Sequence, residues 1–280
     1  MRTRALLAAV VVAAWAATQS TAGAAERPSF ASINVCTDQL LLSIADDAQI
    51  LGLSPYARDP ARSWSAAEAR RFPRLSGEAE DVLILRPDIV LAAQFTKRST
   101  RELLKEQGFR VVEFDTVTSV QDVKDQVAEV GRLAGHPDRA AQIVARIDAA
   151  LARARTLTAR ERFRVLAVSR RGWISGRDSL TSSLLEAVGL ANAASEIGIR
   201  SGGFAALEAI IQARPDFLVL SEDSPVAEDQ GQAFLLHPAL ERLYPAAKRL
   251  VIPERLTVCG GAMLADAIDR LGAELARVSR

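Results

Sequence analysis

"EAEDVLILRPDIVLA" (Glu78–Ala92) and "ALEAIIQARPDFLVL" (Ala206–Leu220) share one grammar. Aligned on Pro87 and Pro215, Glu80 falls on Glu208, Arg86 on Arg214 and Asp88 on Asp216, each pair 128 residues apart (208 − 80, 216 − 88). In both copies an apolar helical turn stops at Arg-Pro-Asp, because the residue before a proline is pushed out of the helical region. A short continuous apolar run follows, the pattern of a strand buried on both faces of a parallel sheet. One helix-to-strand joint written twice points to two α/β lobes.

The flanking sequence supports two lobes. Upstream of the first copy, "FASINV" reads as a strand, Thr37 or Asp38 as the cap of a helix "QLLLSIA", and "QILGLS" as a second strand. Downstream, the helix "STRELLKEQGF" ends at Gly108 and "RVVEFD" is a strand. Residues 28–118 therefore spell β-α-β-α-β-α-β with right-handed crossovers. Around the second copy, residues 159–280 give the strand "FRVLAVS", the helix "SLTSSLLEAVG", the strand "FLVLS", a helix around "QAFLLHPALERL", the strand "RLVIP" and a terminal helix "GAMLADAIDRLGAELARV". Between them, 119–158 is amphipathic and strand-free, with Pro137 where a second helix would begin. The expected fold is α/β: two Rossmann-like lobes joined by a long helical connector, with a ligand cleft between them.

Bulk properties narrow the function. The chain has 280 residues, 49% hydrophobic and 25% charged, with a formal charge of +1, which excludes a disordered chain and gives no reason to expect nucleic acid. Met1-Arg2-Thr3-Arg4, the apolar run Ala5 to Ala17 and the small residues Ala22-Gly23-Ala24 read as a secretory signal peptide over 1–24. The mature chain is then soluble and exported. In an oxidising compartment Cys36 and Cys259 can pair, yet sequence leaves three readings open: an inter-lobe disulfide, two free thiols lining a pocket, or a catalytic thiol.

Ligands of open α/β sheets bind beyond the carboxyl ends of the strands. The loops expected there carry Cys36, Tyr56, Arg58, Phe95, Arg171, Trp173 and Cys259 as ligand-binding candidates, with Trp64, Arg170 and Arg255 nearby. Trp and Tyr offer large rigid contact surfaces, and Arg holds anionic groups. The bland reading of "SRRGWISG" is a solvated hairpin, and that of Glu80 and Glu208 is a carboxylate favoured by the helix dipole. The chain has only two His, so capture of a naked metal by His clusters is not expected.

The signal peptide, two α/β lobes, connector and paired Glu-x6-Pro-Asp elements, with "SINVCTDQLLLSIAD" and "TVCGGAMLADAI", resemble the class III periplasmic binding proteins of ABC importers. The resemblance covers essentially the whole mature chain. It implies a non-enzymatic, monomeric periplasmic protein without a resident cofactor. Such a protein takes a preformed iron or cobalt complex, a ferric siderophore or cobalamin, to permease subunits at the inner membrane. It further implies that Glu80 and Glu208 dock on that permease, one from each lobe. Two alternatives remain at this level: an exported α/β hydrolase, for which no Gly-x-Ser-x-Gly elbow is present, and a ligand sensor without transport.

Overall fold

The structure of the chain, a computed structural model, describes residues 27–158, 162–221 and 229–278. The signal-peptide reading of 1–24 lies outside the described residues. The first lobe runs β1 (Phe30–Ser32), α1 (Val35–Ile44), β2 (Ile50–Gly52), then, after an irregular stretch, α2 (Ala79–Leu85), β3 (Ile89–Ala93), α3 (Arg98–Glu106) and β4 (Val111–Phe114). Its four strands are parallel, in the order β2-β1-β3-β4. Two helices follow, α4 (Val120–Ala134) and α5 (Pro137–Thr158). The second lobe comprises β5 (Arg164–Ser169), β6 (Trp173–Ile174), α6 (Leu180–Ala187), β7 (Ala191–Asn192), β8 (Gly203–Phe204), α7 (Leu207–Ala213), β9 (Phe217–Leu220), α8 (Gln230–Ala233), α9 (Pro238–Leu243), β10 (Arg249–Val251) and α10 (Met263–Val278).

The second sheet repeats the plan of the first. Strands β7, β5, β9 and β10 are parallel neighbours in that order, matching β2-β1-β3-β4. The difference is an antiparallel addition, β6 on the end of β5 and β8 on β6. Both Arg-Pro-Asp joints are built alike. Arg86 (φ 48°) and Arg214 (φ 44°) adopt the left-handed conformation that closes α2 and α7. The aspartates then act as stitches: Asp88 Oδ2 accepts from the Ser29 backbone N–H and hydroxyl, both at 2.7 Å, and Asp216 Oδ2 accepts from the Arg164 N–H at 2.7 Å. Each ties the strand that follows it, β3 or β9, to the first strand of its lobe. Val82 and Ile210 bury the inner faces of the paired helices at one register.

The helices between and after the sheets hold the lobes together. A reciprocal cap between Ser119 and Asp122 starts α4, and Gly135 (φ 72°) ends it. Helix α5 packs along α4 and α10, and ion pairs Arg146–Asp266 and Arg153–Asp269 run along its contact with α10. One apolar core passes through both lobes, taking Leu40 and Leu41 from α1, Val123 and Val127 from α4, Ile147 and Leu151 from α5, Leu184 from α6 and Ile268 and Leu271 from α10. Each such buried side chain contributes about 1.5–3 kcal/mol of transfer free energy, so the base of the molecule is one packed unit. The single helix expected around "QAFLLHPALERL" is instead two, α8 and α9, broken before Pro238, where His237 Nδ1 caps α9 by accepting from the Ala239 N–H at 3.2 Å.

Candidate functional site

The site forms where β1, β3, β4 and β5 end. Asn34 follows β1 in extended conformation, and its side chain accepts from the Cys36 N–H at 2.9 Å, starting α1. Cys36 is disulfide-bonded to Cys259, which lies just ahead of α10, with Cα atoms 5.1 Å apart. Neither sulfur is a free thiol in this state. The pair lines a cavity of about 130 Å³ together with Asn34, Thr37, Leu40, Phe95, Phe114, Val117, Gln126, Leu180 and Thr257 to Gly260. Its rim is held by polar contacts: Gln126 Nε2 donates to the Asp115 carbonyl at 2.7 Å, and Thr116 Oγ1 donates to Gln94 Oε1 at 3.1 Å.

A wider cavity of about 390 Å³ adjoins it, lined by Ser169, Arg170, Arg171, Trp173, Ser175, Thr181, Phe204, Ser221 and Glu254. Thr257 and Val258 line both cavities, so they form one cleft with a largely apolar floor and a more polar flank. The antiparallel addition builds that flank. Trp173 on β6 and Phe204 on β8 meet edge to face, ring centroids 5.1 Å apart, and both remain open to solvent. Phe95 is 82% exposed. Large aromatic surfaces are thus left unburied around the cleft, where a ligand would cover them.

Arg171 stands at the turn from β5 to β6 in the left-handed conformation (φ 60°), followed by Gly172 (φ 73°). An added Cβ at Gly172 would lie 2.7 Å from the Ala205 carbonyl oxygen, so the turn admits only glycine there. Arg170 pairs with Asp229, whereas no hydrogen bond or ion pair holds the Arg171 guanidinium among the described residues. The Gln232 N–H above all, then the Gly231 N–H and the charges of Arg170 and Arg171, hold the Asp229 carboxyl below the usual range against its desolvation. Behind the floor, Asp38 is fully buried, accepts from the Ser54 N–H at 3.0 Å and from its hydroxyl at 2.5 Å, and is pushed up to about 7 by burial against those bonds.

Of the ligand-binding candidates, the structure brings Cys36, Phe95, Arg171, Trp173 and Cys259 to the cleft. Tyr56 and Arg58 line neither cavity. Arg62 lies over the Tyr56 ring at 5.3 Å, and Arg58 is turned back to donate to the Phe72 carbonyl at 2.6 Å. Trp64 packs partly buried on the core. Sequence reading missed Phe204 and Leu180. Phe204 sits on the two-residue strand Gly203–Phe204, too short for any periodicity, and Leu180 looks like an ordinary helix-start residue.

The model of the periplasmic binding protein family matches residues 31–251. The chain belongs to the periplasmic binding protein family. Members of this family are periplasmic binding proteins, not enzymes. Among solved structures, the chain is similar to the apo periplasmic heme-binding protein RhuT from Roseiflexus sp. RS-1, at 20% identity and a TM-score of 0.72 over 91% of this chain and 100% of that one. It is also similar to the periplasmic vitamin B12 binding protein BtuF of Vibrio cholerae, at 14% identity and a TM-score of 0.68 over 91% and 98%. At these identities the likeness is one of fold. A cobalamin-binding protein of Halobacterium salinarum is 28% identical over 194 residues, covering 67% of this chain and 52% of that protein. The chain spans about half the length of the curated relatives it matches. Among the described residues of this periplasmic binding protein, no helix is long and apolar enough to cross a membrane.

Proposed function

We propose that this binding protein captures a preformed iron or cobalt chelate, a corrinoid, haem or ferric siderophore, between its lobes and delivers it to an ABC permease. The observation that carries the reading is the cleft itself, where Phe95 of the first lobe and Trp173 and Phe204 of the second leave aromatic faces uncovered beside the Arg171 guanidinium. Such a surface suits a large, partly apolar ligand bearing an anionic group. The chain's two histidines and two cysteines are engaged already. His136 Nε2 lies 3.1 Å from both Gln49 Oε1 and Asp46 Oδ2, away from the cleft, His237 caps α9, and both cysteines are bonded. On this reading the metal arrives within its chelate, as cargo. The docking contacts are Glu80 and Glu208, each the second residue of its helix, exposed, and without a hydrogen bond or ion pair among the described residues.

Calorimetric titration of the mature protein against cobalamin, haem and ferric hydroxamate, catecholate and carboxylate siderophores tests the reading. One-to-one saturable binding of one class is expected. Silence across the panel from a well-folded protein would withdraw it.

A further inference from the structure

We propose that the Cys36–Cys259 bond positions the two walls of the cleft and makes ligand binding depend on its oxidation state; the ligand half of this rests on the reading above. The bond crosses between lobes at the cleft floor. Cys36 belongs to the start of α1, in the first lobe, beside the cavity that Phe95 lines. Cys259 belongs to the loop that carries Thr257 and Val258, the two residues shared by both cavities, toward Trp173 and Arg171. That loop is pressed close: an added Cβ at Gly260 would lie 2.6 Å from a Val123 methyl of α4 and 3.0 Å from a Val117 methyl. One covalent link therefore fixes the apolar floor to the segment that hinges onto the aromatic flank. A cleft held at its bound spacing loses less conformational freedom when a ligand enters.

The two sulfurs are not equally reachable. Both line the cavity, but Cys259 is buried (1% exposed), whereas Cys36 is partly open. A dithiol reductant would attack Cys36 Sγ as thiolate, forming a mixed disulfide and expelling the Cys259 thiolate, which takes up a proton. The second thiol of the reductant then closes its own disulfide and releases Cys36. Two electrons pass, the protein gains two thiols, and the reductant leaves as a disulfide. A ligand seated on the cavity covers Cys36, so occupancy protects the bond and reduction weakens occupancy.

The experiment compares the oxidised mature protein, the same protein reduced anaerobically with dithiothreitol in native buffer, and a Cys36→Ser/Cys259→Ser variant. It uses small-angle scattering and amide hydrogen exchange without ligand, followed by titration with cobalamin and haem. Expected are a larger radius of gyration, exchange about tenfold faster over 257–261 and at the start of α1, and affinity lowered about tenfold in both unbonded forms. If the serine variant does not fold, the reduced wild-type chain gives the same readings. Superimposable scattering and exchange would overturn the proposal, as would opened lobes with unchanged affinity. If the oxidised protein binds neither these probes nor the ferric siderophores of the panel above, the ligand reading fails by itself, and scattering and exchange still decide the positioning role; if it binds only a siderophore, that siderophore replaces them as the probe.

Discussion

Asp38 shows what one buried carboxyl does to this fold. Its ordinary value is 3.8 and burial raises it to about 7, so between those values the native state holds a proton that the unfolded chain has released. Stability therefore falls as pH rises from about 4 to 7 and is level above, with a span on the order of 4 kcal/mol at most. Asp38→Asn is expected to remove this slope while keeping an acceptor for the Ser54 N–H. Urea unfolding at pH 5 and pH 8 checks it, and an unchanged slope would assign the pH dependence elsewhere. The same neighbourhood explains which site residues the sequence reveals. Phe95, Arg171 and Trp173 follow strand ends, where the α/β rule places ligands. Tyr56 and Arg58 also follow a strand, but their loop folds back: Leu53 donates to the Pro73 carbonyl at 3.0 Å and accepts from the Leu75 N–H at 2.8 Å, and Arg58 is drawn to Phe72. A tertiary contact between segments twenty residues apart leaves no periodic trace.

Among the elements, the Arg-Pro-Asp joint divides the repeat into two tasks. Arginine, proline and aspartate are architecture, and glutamate is surface. Asp88 makes two accepted bonds to Ser29 and Asp216 one to the Arg164 backbone, and the Ser29 donors hold the Asp88 carboxyl below the usual range. Asp88→Ala is thus expected to cost about 1–2 kcal/mol and Asp216→Ala less, read from denaturant midpoints. The Asp88 contribution is present above the ordinary carboxyl range and disappears as pH falls through it into the depressed native range. Equal midpoints for both variants and the parent would show that the stitches carry nothing. The joint was legible because proline, aspartate and a buried strand are written locally. The β6–β8 addition was legible only as a hairpin at "SRRGWISG"; its partner Gly203–Phe204 is two residues long and comes from beyond α6.

The whole molecule sets two repeated sheets on one continuous core. The amphipathic patterns of α4, α5 and α10 announced helices but did not say that they would pack together and pass the core from lobe to lobe. A shared base of this kind, with its cystine closed, leaves little room for large lobe rotation, and the docking proposed for Glu80 and Glu208 would use the fixed spacing this gives them. Glu80→Ala with Glu208→Ala is expected to leave ligand affinity unchanged and to lower uptake in cells severalfold. Lost ligand binding in a folded double variant would move these residues from docking to the cleft. The long disulfide has a consequence in the order of synthesis. The chain appears from its N-terminus, so Cys36 waits through 223 residues for its partner, and β10 and α10, which complete the second sheet and the common core, arrive at the same late stage. The bond can close only once every named strand of both sheets has been made. A polypeptide cut short before Cys259 would carry a thiol at the floor of an unfinished cleft, so the cystine marks a chain whose two sheets are both in place.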